Sequence, residues 1–96
     1  EAVFATNDAM AVGFMEAARK AGYEFPKDIA LAGYDNLPIC ENHYPKITSV
    51  NTDYTRLALN TIENLLARVD NKSSHQGIVS MVPVTLEIRE SSLRNQ

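Results

Sequence analysis

The chain is predicted to be an α/β protein built on a parallel sheet. Two short apolar runs, residues 2–6 (AVFAT) and 29–34 (IALAGY), flank a helical pattern, and each run ends abruptly on a polar pair, Asn7-Asp8 and Asp35-Asn36. Runs with no wet face belong to parallel sheets covered by helices. A parallel pair also needs a long crossover between its strands, usually a helix. Strand, helix and strand here therefore read as one βαβ unit.

The elements follow in order. Residues 2–6 form the first strand, and residues 8–21 the first helix. Asn7 or Asp8 can cap that helix, whose free amide groups and positive dipole end favour an oxygen acceptor. Ala11, Phe14, Met15 and Ala18 recur at helical spacing, and Gly22 supplies the left-handed residue that ends many helices. After the loop GYEFPKD, residues 29–34 form the second strand, apolar on both faces. Residues 36–46, punctuated by Pro38 and Pro45, read as irregular, and residues 47–50 as a short strand. Asp53 caps a second helix with Leu57, Ala58, Thr61, Ile62, Leu65, Leu66 and Val69 on one face, ending near Asn71. A polar loop, 71–77, leads to an extended stretch, 78–89. There Val82, Val84, Leu86 and Ile88 alternate with Pro83, Thr85, Glu87 and Arg89, so that one face is wet. Pro83 marks this as an edge or crossing segment.

Composition narrows the function. Ninety-six residues, 45% hydrophobic and 22% charged, suit one globular domain. The chain begins on Glu1 and runs at once into apolar residues, which suggests a piece of a longer protein. No apolar run is long enough to span a bilayer, so no membrane partner is expected. The formal net charge is −3 and the nine Lys and Arg are scattered, which disfavours nucleic-acid binding by these residues themselves. A single cysteine, Cys40, excludes an internal disulfide and fits a reducing, cytoplasmic compartment.

The strand ends carry the functional signal. In open parallel sheets, ligands bind outside the carboxyl ends of the strands, which is where both polar pairs fall. A carboxylate only accepts, whereas an amide both donates and accepts. Together they suit a neutral ligand rich in hydroxyl or ring N–H groups, such as a sugar or a nucleobase. Turn and cap roles compete with this reading, since Asn and Asp favour both. Capping is preferred for Asp8 and a turn for Asn36, while Asp35, directly after an apolar strand, is read as a ligand contact. If Asp35 faces the cleft, Tyr34 points away and packs under the helices.

The string ATNDAMAVGFMEAARKAGYEFPKDIALAGYDN, then YPKITSV, then PVTLEIRESS, closely resembles the end of the effector-binding domain of LacI/GalR bacterial transcription regulators. The resemblance runs from about Ala2 to Ser92. It implies a type I periplasmic-binding-protein-like fold, with two α/β subdomains around a ligand cleft and three crossing segments between them. Residues 1–96 would be the C-terminal portion, without the helix-turn-helix headpiece, the hinge or the first half of the effector domain. Asn7 and Asp35 would contact the effector, with Asp8 and Asn36 as further contacts or caps. The first helix, with Val12, Met15, Glu16 and Arg19, and the segment carrying Ile39, Cys40, His43 and Tyr44 would form a homodimer surface. Residues 47–50 and the stretch after Asn71 would be crossovers. Operator DNA would be met only through the headpiece. Many members have two prolines before the crossover strand; this chain has Tyr44-Pro45-Lys46. A periplasmic sugar-binding protein of the same fold is the alternative, but YPKITSV and PVTLEIRESS favour the regulator.

Enzyme chemistry finds little support. Tyr23 and Lys27 share the Tyr-x-x-x-Lys spacing of short-chain dehydrogenases, but Gly22 and Pro26 make this segment a loop. Cys40 and His43, with Asp35 as orienter, could form a nucleophile–base pair, yet no oxyanion element accompanies them. One cysteine and two histidines are too few and too dispersed for zinc, and no cofactor motif is present. Asn71-Lys72-Ser73 is a glycosylation sequon, idle in a bacterial protein.

Overall fold

The computed structural model describes residues 1–70, 77 and 79–94. The polar loop read at 71–77, apart from Gly77, the sequon within it and the first residue of the extended stretch lie outside the described residues. The chain divides into one unit formed by Glu1–Asn51 with Thr85–Gln96 and a second formed by Thr52–Val84.

The first unit carries a four-stranded sheet in the order β1-β2-β3-β4, from β1 (Ala2–Phe4), β2 (Ala30–Asp35), β3 (Thr48–Thr52) and β4 (Val84–Glu87). β1 pairs parallel to β2 with Ala2 opposite Ala30, and β2 pairs parallel to β3 with Gly33 opposite Ser49 and Asp35 opposite Asn51. The βαβ reading is right: α1 (Asp8–Lys20) links β1 to β2 and covers one face. Asn7, in extended conformation, is the N-cap, its side chain accepting from the Met10 amide at 2.8 Å. At the other end Gly22, with φ +98, closes the helix: its N–H bonds Arg19 O and that of Tyr23 bonds Ala18 O, both at 3.0 Å.

The core consists of Ala11 and Met15 from α1, Phe25, Leu31, Cys40 and Ile47. Phe14 meets Phe25 edge to face at 6.0 Å between centroids. Where α1 crosses β2 the sequence has Gly33, and a Cβ there would collide with Asp8 Oδ1. That glycine is required by close approach.

Several expectations change. β1 is an edge strand and Phe4 is 60% exposed, so the first run lacks the two-sided burial read from its sequence. By register and alternation Tyr34 lies with Phe4, Ala32 and Val50 on the face opposite α1, half-buried, rather than under that helix. The segment read as irregular contains a short helix, α2 (Ile39–Asn42), which buries Cys40. β4 is an edge strand, as Pro83 requires, but it is exposed on both faces.

In the second unit α3 (Tyr54–Asp70) begins as expected, Asp53 Oδ1 accepting from the Arg56 amide at 3.0 Å. Its apolar face also follows the expected spacing. No residue of it is buried among the described residues, and Ile62, Leu65, Leu66 and Val69 are each more than half exposed.

Candidate functional site

Parallel strands bring their carboxyl ends to one edge of the sheet, so β1, β2 and β3 present Asn7, Asp35 and Asn51 there. Asp35 has φ +109 and Asn36 φ +54. Both values lie in the left-handed region that side chains other than glycine rarely adopt, at about 1–3 kcal/mol each. Such a pair persists only where its surroundings hold it.

Four residues supply the hold. The Asn36 N–H donates to Ser49 Oγ at 3.0 Å, and Ser49 Oγ in turn donates to Asp8 Oδ1 at 2.6 Å. The Leu37 N–H donates to Asp8 Oδ2 at 2.7 Å. Asn36 Nδ2 donates to Asn51 Oδ1 at 3.0 Å, while Asn36 Oδ1 accepts from Arg89 Nη2 at 2.7 Å. The two peptide groups after Asp35 are thus tied to a buried carboxylate, and the Asn36 side chain is tied to β3 and to the residue two past β4.

A second set of bonds fixes this frame from below. The closing 3-10 turn Glu90–Ser92 carries Ser91, fully buried, whose Oγ accepts from the Thr48 amide at 2.9 Å and donates to the Leu31 carbonyl at 2.6 Å. The Arg89 N–H donates to Thr48 Oγ1 at 2.8 Å, and its guanidinium Nη1 donates to the Ile47 carbonyl at 2.8 Å. Arg-Glu-Ser-Ser therefore welds the end of the chain to β2 and β3. Among the described residues no buried polar side-chain atom lacks a partner.

Against this geometry the expected site residues divide. Asp35 is half-buried at the strand end and remains the candidate ligand carboxylate. Asn7 caps α1 with its oxygen, which leaves its amide N–H groups as what it can offer a ligand. Asp8 is fully buried, and Asn7 rather than Asp8 caps α1; the Asp8 carboxylate anchors the turn after β2. Asn36 is more than a turn residue, because its amide nitrogen bridges to Asn51 of β3 and its amide oxygen to Arg89, just past β4. Ser49, Asn51 and Arg89 were missed. Asn51 had a signal, being the polar residue that ends a strand as Asn7 and Asp35 do. Arg89 was assigned to a wet face, yet its side chain is only 13% exposed.

The expected dimer surface is corrected in part. Met15 and Cys40 are fully buried core residues and cannot present side chains to a partner. Met15 lies one turn after Ala11, on the inward face of α1, and Cys40 is the buried residue of α2. Val12 is half-buried against the same core. Glu16, Arg19, Ile39 and Tyr44 are exposed and His43 is half-exposed. The Arg19 guanidinium donates to the Tyr44 carbonyl, tying α1 to the segment before β3.

The nucleophile reading of Cys40 fails on the same burial. Desolvation, then the adjacent Asp8 carboxylate, pushes its thiol up to about 11. His43 Nδ1 faces the Pro45 carbonyl at 3.4 Å. At pH 8 a thiol-specific disulfide reagent is expected to label Cys40 in the folded protein about 100-fold or more slowly than after denaturation, given the thiolate fractions at those values. Rapid stoichiometric labelling of the native protein would contradict this burial.

Residues 1–92 match the family described as periplasmic binding protein-like domain. The HTH-type transcriptional repressor PurR of Vibrio atlanticus is 36% identical over 86 residues, an alignment covering 90% of this chain and 26% of that protein. A solved structure of the transcriptional regulator CelR with cellobiose is similar at TM-score 0.86 and 28% identity, covering 95% of this chain and 28% of that one. The lac repressor dimer bound to operator and the anti-inducer ONPF is similar at TM-score 0.83 and 28% identity, over 97% and 32% of the two chains. The chain spans about a quarter of the length of the curated relatives it matches.

Proposed function

We propose, from the premise that this chain belongs to the periplasmic binding protein-like domain family and within it to the LacI/GalR type, that it senses a small effector for a bacterial transcription regulator. The observation that carries this reading is the left-handed Asp35-Asn36 pair, held at the carboxyl edge of a parallel sheet by a buried polar network. A chain accepts such strain where it aims a side chain at a task. Asp35 accepts from the ligand's hydroxyl or ring N–H groups and Asn7 donates, which suits a neutral sugar or nucleobase. Residues 1–96 form the C-terminal portion of the effector domain in this reading. Binding favours one arrangement of its subdomains, and a DNA-binding headpiece reads that arrangement as operator affinity in the cytoplasm. Glu16, Arg19, Ile39, His43 and Tyr44 supply the homodimer face. The similar PurR proteins are transcriptional repressors, which favours this reading over a transport component and over an enzyme.

The experiment is a thermal melt of the intact protein against ribose, cellobiose, other neutral sugars and nucleobases. A ligand at 100 times its Kd should stabilise by about 2.7 kcal/mol, a rise of several degrees, and should also change operator affinity. If no compound of these classes at millimolar concentration moves either quantity, the reading is wrong.

A further inference from the structure

Arg89 lies just beyond β4, and its guanidinium joins separate segments. Nη2 donates to Asn36 Oδ1 at 2.7 Å, in the turn after β2, and Nη1 donates to the Ile47 carbonyl at 2.8 Å, at the entry to β3. Glu41 Oε1 on α2 stands 3.6 Å from Nη2, but Glu41 is 71% exposed, so this pair adds little. The main chain of Arg89 is itself fixed, its N–H donating to Thr48 Oγ1 and its carbonyl accepting from the same hydroxyl. The guanidinium is therefore a rigid strut rather than a surface charge.

What the strut supports is the strained turn. The backbone of Asn36 is held by Ser49, whereas its side chain is held by Arg89 and Asn51. Without Arg89, the Asn36 amide oxygen would lose a charge-assisted bond and the left-handed pair would lose one of its restraints. Asp35 is the residue directly before it.

We propose that Arg89 is a positioning residue for the effector site: acting through Asn36, it holds the Asp35 carboxylate in the orientation that meets the ligand. The proposal rests on the effector-sensing reading above. The fork of Arg is needed because two acceptors, an amide oxygen and a main-chain carbonyl, must be met at once; a Lys ammonium has no such fixed planar geometry.

The test uses the intact protein, with crystal structures of wild type, Arg89→Ala and Arg89→Lys, and calorimetric titration with ribose, cellobiose, adenine and guanine. In Arg89→Ala, Asp35 and Asn36 are expected to leave the left-handed region, and the probe that binds wild type to bind roughly 10-fold or more weakly. Arg89→Lys should fall between. Asn36→Asp, which keeps an acceptor for Arg89, should retain the left-handed pair. An unchanged Asp35-Asn36 backbone in Arg89→Ala overturns the proposal, as does a changed backbone with wild-type affinity, since Arg89 would then be structural only. If Arg89→Ala does not fold, wild-type backbone and affinity in Arg89→Lys overturn it. If wild type binds none of the four probes, the failure belongs to the sensing reading for these ligands, and the backbone comparison still decides whether Arg89 positions Asp35.

Discussion

In the intact protein, Asp35→Asn is expected to lower effector affinity by about 30- to 1000-fold while leaving the fold and dimerisation nearly unchanged. Asn keeps the shape of Asp and tolerates the left-handed conformation at φ +109 better than most residues. Backbone strain therefore contributes little to the comparison. What changes is chemistry: a charged group accepting two ligand donors becomes one acceptor beside an unwanted donor. Losing charge-assisted bonds of that kind costs about 2–4 kcal/mol. Were Asp35 a turn residue only, Asn would be a neutral replacement. Calorimetric titration of both proteins with the same ligand separates the two readings by orders of magnitude.

Asp8→Ala should destabilise the intact protein by about 2–4 kcal/mol. The change removes the acceptor of two buried donors at once, the Ser49 hydroxyl at 2.6 Å and the Leu37 amide at 2.7 Å. It also empties the volume that Gly33 leaves for the carboxylate under α1. Removal of a buried carboxylate offsets part of the loss, because its desolvation is no longer required. Asp8→Asn, which keeps one acceptor, should lose less. Denaturant unfolding measures both, and a wild-type midpoint for Asp8→Ala would mean that the turn after β2 is held by other contacts.

The elements that local rules specify were legible. The α1 pattern, its Gly22 stop, β2 and the Asp53 cap of α3 each follow from residues within a turn or two of one another. The Asn7-Asp8 pair was not, because both residues cap equally well and only distant residues decide between them. Asp8 turns inward since Gly33 and Ser49, 25 and 41 positions later, make room and supply a donor. Arg89 was assigned to the wet side by extending the alternation of β4, but the strand ends at Glu87 and the register ends with it. The family resemblance implies a dimer face for whole segments, Met15 and Cys40 included, whereas the burial of these two depends on how α1 and α2 pack on Leu31 and Ile47. The candidate site was legible as one carboxylate at one strand end. The network that holds it there comes from strands far apart in sequence.

The most direct measurement is a crystal structure of the intact protein with the sugar or nucleobase that raises its melting temperature. Ligand is expected at the carboxyl edge of the sheet, with the Asp35 carboxylate oxygens accepting from ligand O–H or N–H groups at about 2.6–3.0 Å. Asn36 is expected to remain bridged to Asn51 and Arg89. A bound ligand lying more than about 4 Å from Asp35, or seated elsewhere on the molecule, would contradict the role of Asp35.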